Sequence, residues 1–294
     1  MKLGMFLRSL ALGISILALL SSGTVFSEEK VTAEDLLGRH LDSVGPAAAR
    51  AAAKSRVFEG TASYRILVGG SGRIDGKAVL VSEGRRFHLM LKINAPQYTG
   101  ERFVCDGNKT SVAATYMDKT RSEFGEFLRA EDLPLREGLL GGVLSTTWPL
   151  LELEARKGKL HYQGLKKVDG VDLYTIAYQP KKGTDLSITL FFDPQTFHHV
   201  RTLYTAGINV GLGMAASGDR AEETASARQN QTRYRIEESF SDFKTVDGLT
   251  LPNHYDLRFE EELQNGFTKK VDWEVTGGRV LNNVPVDARN FQLQ

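Results

Sequence analysis

Cysteine is almost absent from this sequence, since Cys105 is the only one among 294 residues. One cysteine cannot form a disulfide within the chain, so disulfides are not expected to hold this fold together. Cys105 ends the apolar run Phe103-Val104-Cys105 and directly precedes an Asp-Gly pair. This context favours a buried, inert thiol over a reactive nucleophile.

Recognisable catalytic and metal-binding motifs are also missing. The sequence contains no Gly-x-Ser-x-Gly nucleophile elbow and no His-Glu-x-x-His motif. Two of the six histidines, His198 and His199, are adjacent. Neighbours in a strand point to opposite faces, so they cannot bind one metal from the same side, and a solvated pair is the simpler interpretation. We predict no catalytic residue, no metal site and no cofactor, which favours a binding protein over an enzyme.

Neither sign of charge is in excess. The chain has 37 Lys and Arg against 36 Asp and Glu. Without residues 1–27, which include Lys2 and Arg8 but no acidic residue, the count is 35 against 36. Proteins that bind nucleic acid usually carry a basic surplus, so we expect no nucleic-acid partner.

The N-terminus carries an apolar run from Leu10 to Leu20, behind Lys2 and Arg8. This run is about half as long as the ~20 residues that span a bilayer. It is followed by a cleavage site near Ser27, which predicts a signal peptide over 1–27 and one domain over 28–294. An uncleaved membrane anchor is the alternative. No Cys follows the apolar run for acylation, so we expect an exported, soluble protein without a lipid anchor.

From Arg56 onward, apolar and polar residues alternate with the period of β-strands. Asp-Gly between apolar runs favours a tight hairpin, because Gly adopts positive φ at no steric cost. We predict about ten antiparallel strands, apolar on one face, although Glu238 interrupts one apolar face. The predicted turns are Val168-Asp169-Gly170 and Val246-Asp247-Gly248 and, in weaker form, Ile74-Asp75-Gly76 and Cys105-Asp106-Gly107.

Helical signals are confined to a few segments. Thr32 is a candidate N-cap, with Asp35 three residues later, for a helix that Gly45-Pro46 ends. The Ala-rich stretch 47–53 predicts a second short helix. The polar segment 211–231 predicts a mobile loop.

The C-terminal half carries a series of turn and strand motifs at residues 164–171, 178–180, 190–196, 237–244, 246–252 and 290–291. The order of these motifs resembles the LolA/LolB-like family of periplasmic lipoprotein carriers. The resemblance implies a mainly β fold with flanking helices, in which a curved antiparallel sheet forms an unclosed half β-barrel. It also implies a periplasmic location and the carriage of acyl chains of lipoproteins, or of other lipids, between membranes. No residue-specific motif of the family is present, so no binding residue is carried over.

The apolar face of the sheet is either covered by the protein's own helices as an ordinary core, or curved around an apolar hollow that suits a lipid or lipidated protein. We predict a monomer whose partners also include membrane-bound release and acceptor complexes. The strand residues expected to face the hollow belong to runs with apolar residues at every second position. They are Phe87, Leu89, Leu91, Leu186, Ile188, Leu190 and Tyr255.

The segment 122–157 interrupts the strands with helical, strongly apolar sequence, and we predict that it contributes a helical lid. Gly141-Gly142 and Pro149 weaken helical continuity within it. For this segment two interpretations stay open: a flap that ligand displaces, or a permanently packed part of a non-catalytic envelope scaffold or stress sensor with a filled core. For the protein as a whole, a secreted hydrolase is a further alternative. The lid residues are Leu139, Leu140, Val143, Leu144 and Trp148.

Overall fold

The computed structural model describes residues 31–96, 98–116, 119–209 and 231–293. The predicted signal peptide over 1–27 lies outside these ranges, as does the predicted loop over 211–231 apart from Gln231. Within the described ranges, no helix combines the length and apolar character needed to cross a bilayer.

Twelve antiparallel strands of the described chain form one sheet, in the order β5-β4-β3-β2-β1-β12-β11-β10-β9-β8-β7-β6. The two edge strands, β5 and β6, do not pair, so the curved sheet is an unclosed half-barrel. The predicted fold class is confirmed, with twelve strands instead of about ten. The strands are β1 (Ser55–Val68), β2 (Gly72–Glu83), β3 (Arg86–Ile93), β4 (Gly100–Cys105), β5 (Thr110–Ala114), β6 (Lys159–Val168), β7 (Val171–Gln179), β8 (Ser187–Phe192), β9 (His199–Asn209), β10 (Gln231–Val246), β11 (Leu249–Glu262) and β12 (Thr268–Asn282).

Two Asp-Gly pairs make the tight hairpins that the sequence predicts. Asp169 and Gly170 have φ of 51° and 85° between β6 and β7. Asp247 and Gly248 have φ of 52° and 75° between β10 and β11. Positive φ at both central residues gives a turn whose twist matches that of the flanking strands.

The two weaker Asp-Gly pairs have different outcomes. Gly107, with φ of 103°, lies in the turn between β4 and β5, as predicted. The turn predicted at Ile74-Asp75-Gly76 is wrong, because these residues lie inside β2. A Cβ atom on Gly76 would come within 2.1 Å of the Lys92 carbonyl oxygen. Gly76 therefore permits close approach of β3 and does not turn the chain.

The helices lie before β1 and in the connection between β5 and β6, and one 3₁₀ turn follows β12. The first helix starts with the predicted capping box, in which Thr32 Oγ1 accepts from the Asp35 amide at 3.1 Å and the Asp35 carboxylate accepts from the Thr32 amide at 3.2 Å. The α-helices are α1 (Ala33–Val44), α2 (Ala47–Ala52), α3 (Glu123–Ala130), α4 (Leu133–Arg136) and α5 (Leu153–Arg156), and the 3₁₀ turns are Gly142–Leu144, Pro149–Glu152 and Ala288–Phe291.

The outer face of the sheet is polar where its central strands meet. Glu237, Arg258, Asp272 and Arg65 are successive cross-strand partners from β10 through β11 and β12 to β1. The Arg65 guanidinium donates to both oxygens of Asp272, at 2.9 and 3.0 Å. Each charged side chain in this row therefore lies opposite one of the other sign on the outer face, and most apolar residues lie on the inner face.

Candidate functional site

Six of the seven residues predicted for the hollow lie in β3, β8 and β11, on the covered face of the sheet, and Leu186 directly precedes β8. All are at most 4% exposed, from Leu91 and Leu190 at 0% to Leu186 at 4%. Phe103 lies opposite Leu89, Tyr204 lies opposite Ile188, and both are equally buried. The seven residues therefore belong to the core of the half-barrel, and a role in ligand binding stays a prediction.

Residues 138–148, which we call the lid, cover part of this face. The five predicted lid residues are buried, none of them more than 2% exposed. Within the lid only Gly142–Leu144 is helical, as a 3₁₀ turn, because Gly141 and Gly142 have consecutive positive φ of 81° and 49°. A Cβ at Gly141 would lie 2.9 Å from Leu80, and one at Gly142 would lie 2.9 Å from Phe240. The two glycines thus allow the lid backbone to press directly on the sheet.

Two hydrogen bonds tie the backbone of the lid to the sheet beside this glycine pair. The amide of Gly141 donates to Glu238 Oε1 of β10 at 2.7 Å. The carbonyl of Val143 accepts from Arg56 Nη1 of β1 at 2.6 Å. Arg56 is only 3% exposed, and Arg56 Nε also donates to Asn282 Oδ1 at 2.8 Å. Burial lowers the pKa of Arg56 to about 10, so this side chain is still a cation at neutral pH.

Two more contacts hold the C-terminal part of the lid. The Thr146 amide donates to Ser82 Oγ of β2 at 2.9 Å. The indole Nε1 of Trp148 donates to His40 Nε2 of α1 at 3.2 Å. Four hydrogen bonds therefore hold the lid, one each to α1, β1, β2 and β10. In this structure the lid is closed, and its side chains occupy the hollow.

Glu238 is the apolar-face interruption noted in the sequence, and it is fully buried. Its carboxylate accepts from the hydroxyl of Tyr204 at 2.7 Å and from the hydroxyl of Tyr255 at 2.8 Å, in addition to the Gly141 amide. Burial raises the pKa of Glu238 to about 7, although these three donors pull it back. Sequence reasoning registered Glu238 only as a break in a pattern, and nothing local in the sequence indicated its partners from β9, β11 and the lid.

The prediction of a solvated His198-His199 pair is wrong for His199, which is 0% exposed. The two side chains do point to opposite faces, but the inner face is covered, so His199 enters the core. Its ring stacks on Trp148 with centroids 4.6 Å apart. Burial lowers the pKa of His199 well below its ordinary value, and it lowers the pKa of His40 to about 4.

The described residues contain no group of three or more His, Cys, Asp or Glu side chains arranged to hold a metal ion. Cys105 is buried, as predicted, and burial raises the pKa of its thiol.

A second buried carboxylate fixes α3 at the other side of the hollow. Glu101 of β4 accepts from the Ser122 amide at 2.9 Å, from the Ser122 hydroxyl at 2.7 Å and from the Tyr98 hydroxyl at 3.1 Å. The indole of Trp273 donates to the same Tyr98 oxygen at 3.1 Å. The start of α3 is therefore anchored to the sheet by a polar cluster inside the core.

An open cavity of about 490 Å³ lies next to this anchor. Its apolar wall combines Tyr64 and Ile66 of β1, Ile74 of β2 and Ala95, and its polar rim includes Arg121 and Ser122. The volume is within the ~300–1,000 Å³ range of small-molecule pockets. Sequence reasoning did not single out these residues, because strands and a loop distant in sequence bring them together.

The described chain forms an unclosed, curved antiparallel sheet with helical segments packed on its concave side. No family model and no curated protein matches the sequence.

Comparison with solved structures finds a LolA superfamily protein from Nitrosomonas europaea, 12% identical, with a TM-score of 0.45 over 90% of this chain and 98% of that one. A DUF1329 family protein from Desulfovibrio piger is 12% identical, with a TM-score of 0.43 over 88% and 96%. A putative outer membrane lipoprotein-sorting protein domain from Vibrio parahaemolyticus is 9% identical, with a TM-score of 0.41 over 87% and 97%. At these values the matches assign neither a family nor a cargo to this chain.

Proposed function

We propose that this protein is a non-catalytic periplasmic carrier that shelters an acyl chain, of a lipid or a lipidated protein, beneath the lid. The observation that supports this proposal is the way the lid packs on the sheet. Its buried side chains are apolar at Leu139, Leu140, Val143 and Leu144, yet its backbone is held by a few discrete hydrogen bonds. An acyl chain offers the same kind of surface as these side chains and could take their place on the sheet.

The energetic scale of this exchange supports a carrier. An acyl chain of ~14 methylenes gains roughly 11 kcal/mol on leaving water, at about 0.8 kcal/mol for each methylene. Each lid hydrogen bond contributes about 1 kcal/mol net, and somewhat more where Glu238 or Arg56 is charged. Burial of the chain could therefore offset the loss of the four lid contacts and part of the exposure of the lid side chains.

The cavity beside α3 gives an acyl chain a first place to bind while the lid is closed. Its wall of Tyr64, Ile66 and Ile74 lies on the same sheet as the hollow and is open to solvent. We propose that a chain meets this surface first and displaces the lid second.

A polyene fatty amide whose absorption overlaps tryptophan emission tests this proposal. The chain has two tryptophans, Trp148 in the lid and Trp273 in β12. In a Trp273→Phe variant, saturable energy transfer from Trp148 to the bound probe is expected. Absence of saturable binding to the folded protein would overturn the proposal.

Two substitutions on β8 locate the bound chain. Ile188→Asp places a carboxylate in the hollow and should weaken probe binding at least tenfold, whereas Thr189→Asp, on the opposite face of β8, should leave it unchanged. Far-ultraviolet circular dichroism checks that both variants fold. Equal binding by the two folded variants would count against the assigned face.

A non-catalytic envelope scaffold with a permanently filled core is the second candidate. The observation that favours it is the completeness of the filling, since hollow and lid residues are all at most 4% exposed. The scaffold predicts no saturable acyl binding, together with association with membrane-bound partners through the outer surface. A chromogenic ester and glycoside panel would reveal the third possibility, a hydrolase.

A further inference from the structure

The floor of the hollow under the lid is not uniformly apolar. Glu238 accepts two hydrogen bonds from the sheet, through Tyr204 and Tyr255, and a third from the lid, through the Gly141 amide. Both Gly141 and Tyr255 use Oε1. Only the Gly141 contact is lost when the lid moves away.

Displacement of the lid therefore leaves Glu238 short of one donor in a site that ligand then covers. A buried acceptor that loses its donor without replacement raises the free energy of that state, and more so when the acceptor is ionised. A ligand that places a donor where the Gly141 amide stood recovers this free energy, and a ligand without a donor does not.

A second unsatisfied acceptor faces the same lid turn. Nδ1 of His199 has no hydrogen-bond partner, and the residue is 0% exposed. Its Nε2 lies 2.9 Å from Thr202 Oγ1, and with the ring proton on Nε2 the free Nδ1 is an acceptor. A Cβ on Gly142 would lie 3.1 Å from Nδ1, so this atom points at the lid backbone.

One aromatic ring connects the two acceptors. The Phe240 centroid lies 4.9 Å from that of His199 and 5.3 Å from that of Tyr255, whose hydroxyl donates to Glu238. The Gly141-Gly142 turn thus covers a small patch, which we call the acceptor floor, made of the Glu238 carboxylate and His199 Nδ1 around Phe240.

We propose that the acceptor floor selects amphiphiles whose polar group, next to the acyl chain, carries N–H donors: a fatty amine or an N–H-bearing fatty amide. A free fatty acid brings a second carboxylate to Glu238 and offers no donor when ionised, so the same floor disfavours it. This inference rests on the proposed function and adds to it the chemistry of the ligand's polar group.

Competition against the polyene probe at pH 7 tests the selection with three ligands of equal chain length: dodecylamine, dodecanamide and dodecanoate. The amine and the amide should each displace the probe at about tenfold lower concentration than dodecanoate, which corresponds to ~1.4 kcal/mol. The two N–H ligands also distinguish the sources of the donor, because only the amine is charged. Equal or stronger competition by dodecanoate overturns the inference.

Variants of the full chain assign the selection to Glu238. Glu238→Gln should bring the amine-to-dodecanoate ratio close to one, while Glu154→Gln, an exposed change in α5, should keep the wild-type ratio. Tyr255→Phe keeps the ring but removes a donor from the carboxylate, so it should widen the preference for the amine. An unchanged ratio in both Glu238→Gln and Tyr255→Phe overturns the assignment.

The proposed function and this inference fail in different ways. If the probe does not bind at all, the carrier proposal falls and the inference falls with it. If the probe binds and all three ligands compete alike, the carrier stands and only the acceptor floor loses its role.

Discussion

The stability of this protein should fall as pH rises toward neutrality, because Glu238 is fully buried under the closed lid. Its pKa is raised from 4.5 in the unfolded chain to about 7 in the closed structure. A carboxyl with a raised pKa binds more protons in the folded state, so folding is most favoured below the unfolded value. The stability that the protonated form contributes is lost between about pH 4.5 and pH 7.

The magnitude follows from the shift. A difference of about 2.5 pKa units corresponds to about 3 kcal/mol of unfolding free energy, at about 1.4 kcal/mol per unit. His40 and His199 face the same core with lowered pKa values, and they act in the opposite direction because their neutral forms are favoured on folding. Glu101, whose pKa burial also raises, acts in the same direction as Glu238. A comparison of variants is therefore needed to isolate Glu238.

Urea unfolding of the wild type and of Glu238→Gln at intervals from pH 4.5 to pH 8 isolates this contribution. The wild type should lose up to about 3 kcal/mol more than the variant across this range. Glu154→Gln serves as the control, because its exposed carboxylate is in water in both states. Parallel curves for the wild type and Glu238→Gln would refute the role given to the buried carboxylate.

Other changes to the lid should separate anchoring from packing. Gly142→Ala should lower stability by about 1–3 kcal/mol in thermal or urea unfolding, because φ is 49° and the new Cβ meets Phe240; the same stability as the wild type would contradict the close contact. Trp148→Leu should cost about 2–4 kcal/mol, since it leaves a cavity and removes the donor from His40 Nε2, and a cost below 1 kcal/mol would argue that Trp148 is not an anchor. Arg56→Met should accelerate amide exchange within residues 138–148 about tenfold with less than about 1 kcal/mol change in global stability, because it frees the Val143 carbonyl while removing a buried cation; unchanged exchange would show that this contact does not hold the lid.

The parts of this fold that the sequence predicted well are those governed by local chemistry. The Thr32 capping box and the hairpins at Asp169-Gly170 and Asp247-Gly248 depend only on neighbouring residues, and all three form as expected. The Asp75-Gly76 pair shows the limit of this reasoning. Its glycine allows the backbone of β3 to approach closely, and the local sequence does not encode that contact.

The candidate site was harder to predict because its contacts join distant segments. The apolar lid residues were recognisable from composition, but the partners of Glu238 come from β9, β11 and the lid. Whether a histidine is solvated or buried also depends on what covers its strand, and for this reason the prediction of a solvated His199 is wrong. Alternation assigned His199 to one face and could not say that this face is closed by Trp148.

Hydrogen exchange across residues 133–153, compared with strand β8, tests the central claim that the lid opens for an acyl chain. Without ligand, amides of the lid should exchange faster than those of Ser187–Phe192, because a few hydrogen bonds hold the lid and a continuous ladder holds the strand. Addition of a saturating acyl amphiphile should change exchange in the lid selectively, with faster exchange because the bound chain displaces the lid from its contacts with the sheet. Equal protection of the two segments, unaltered by ligand, would contradict the carrier and favour the scaffold with a permanently filled core.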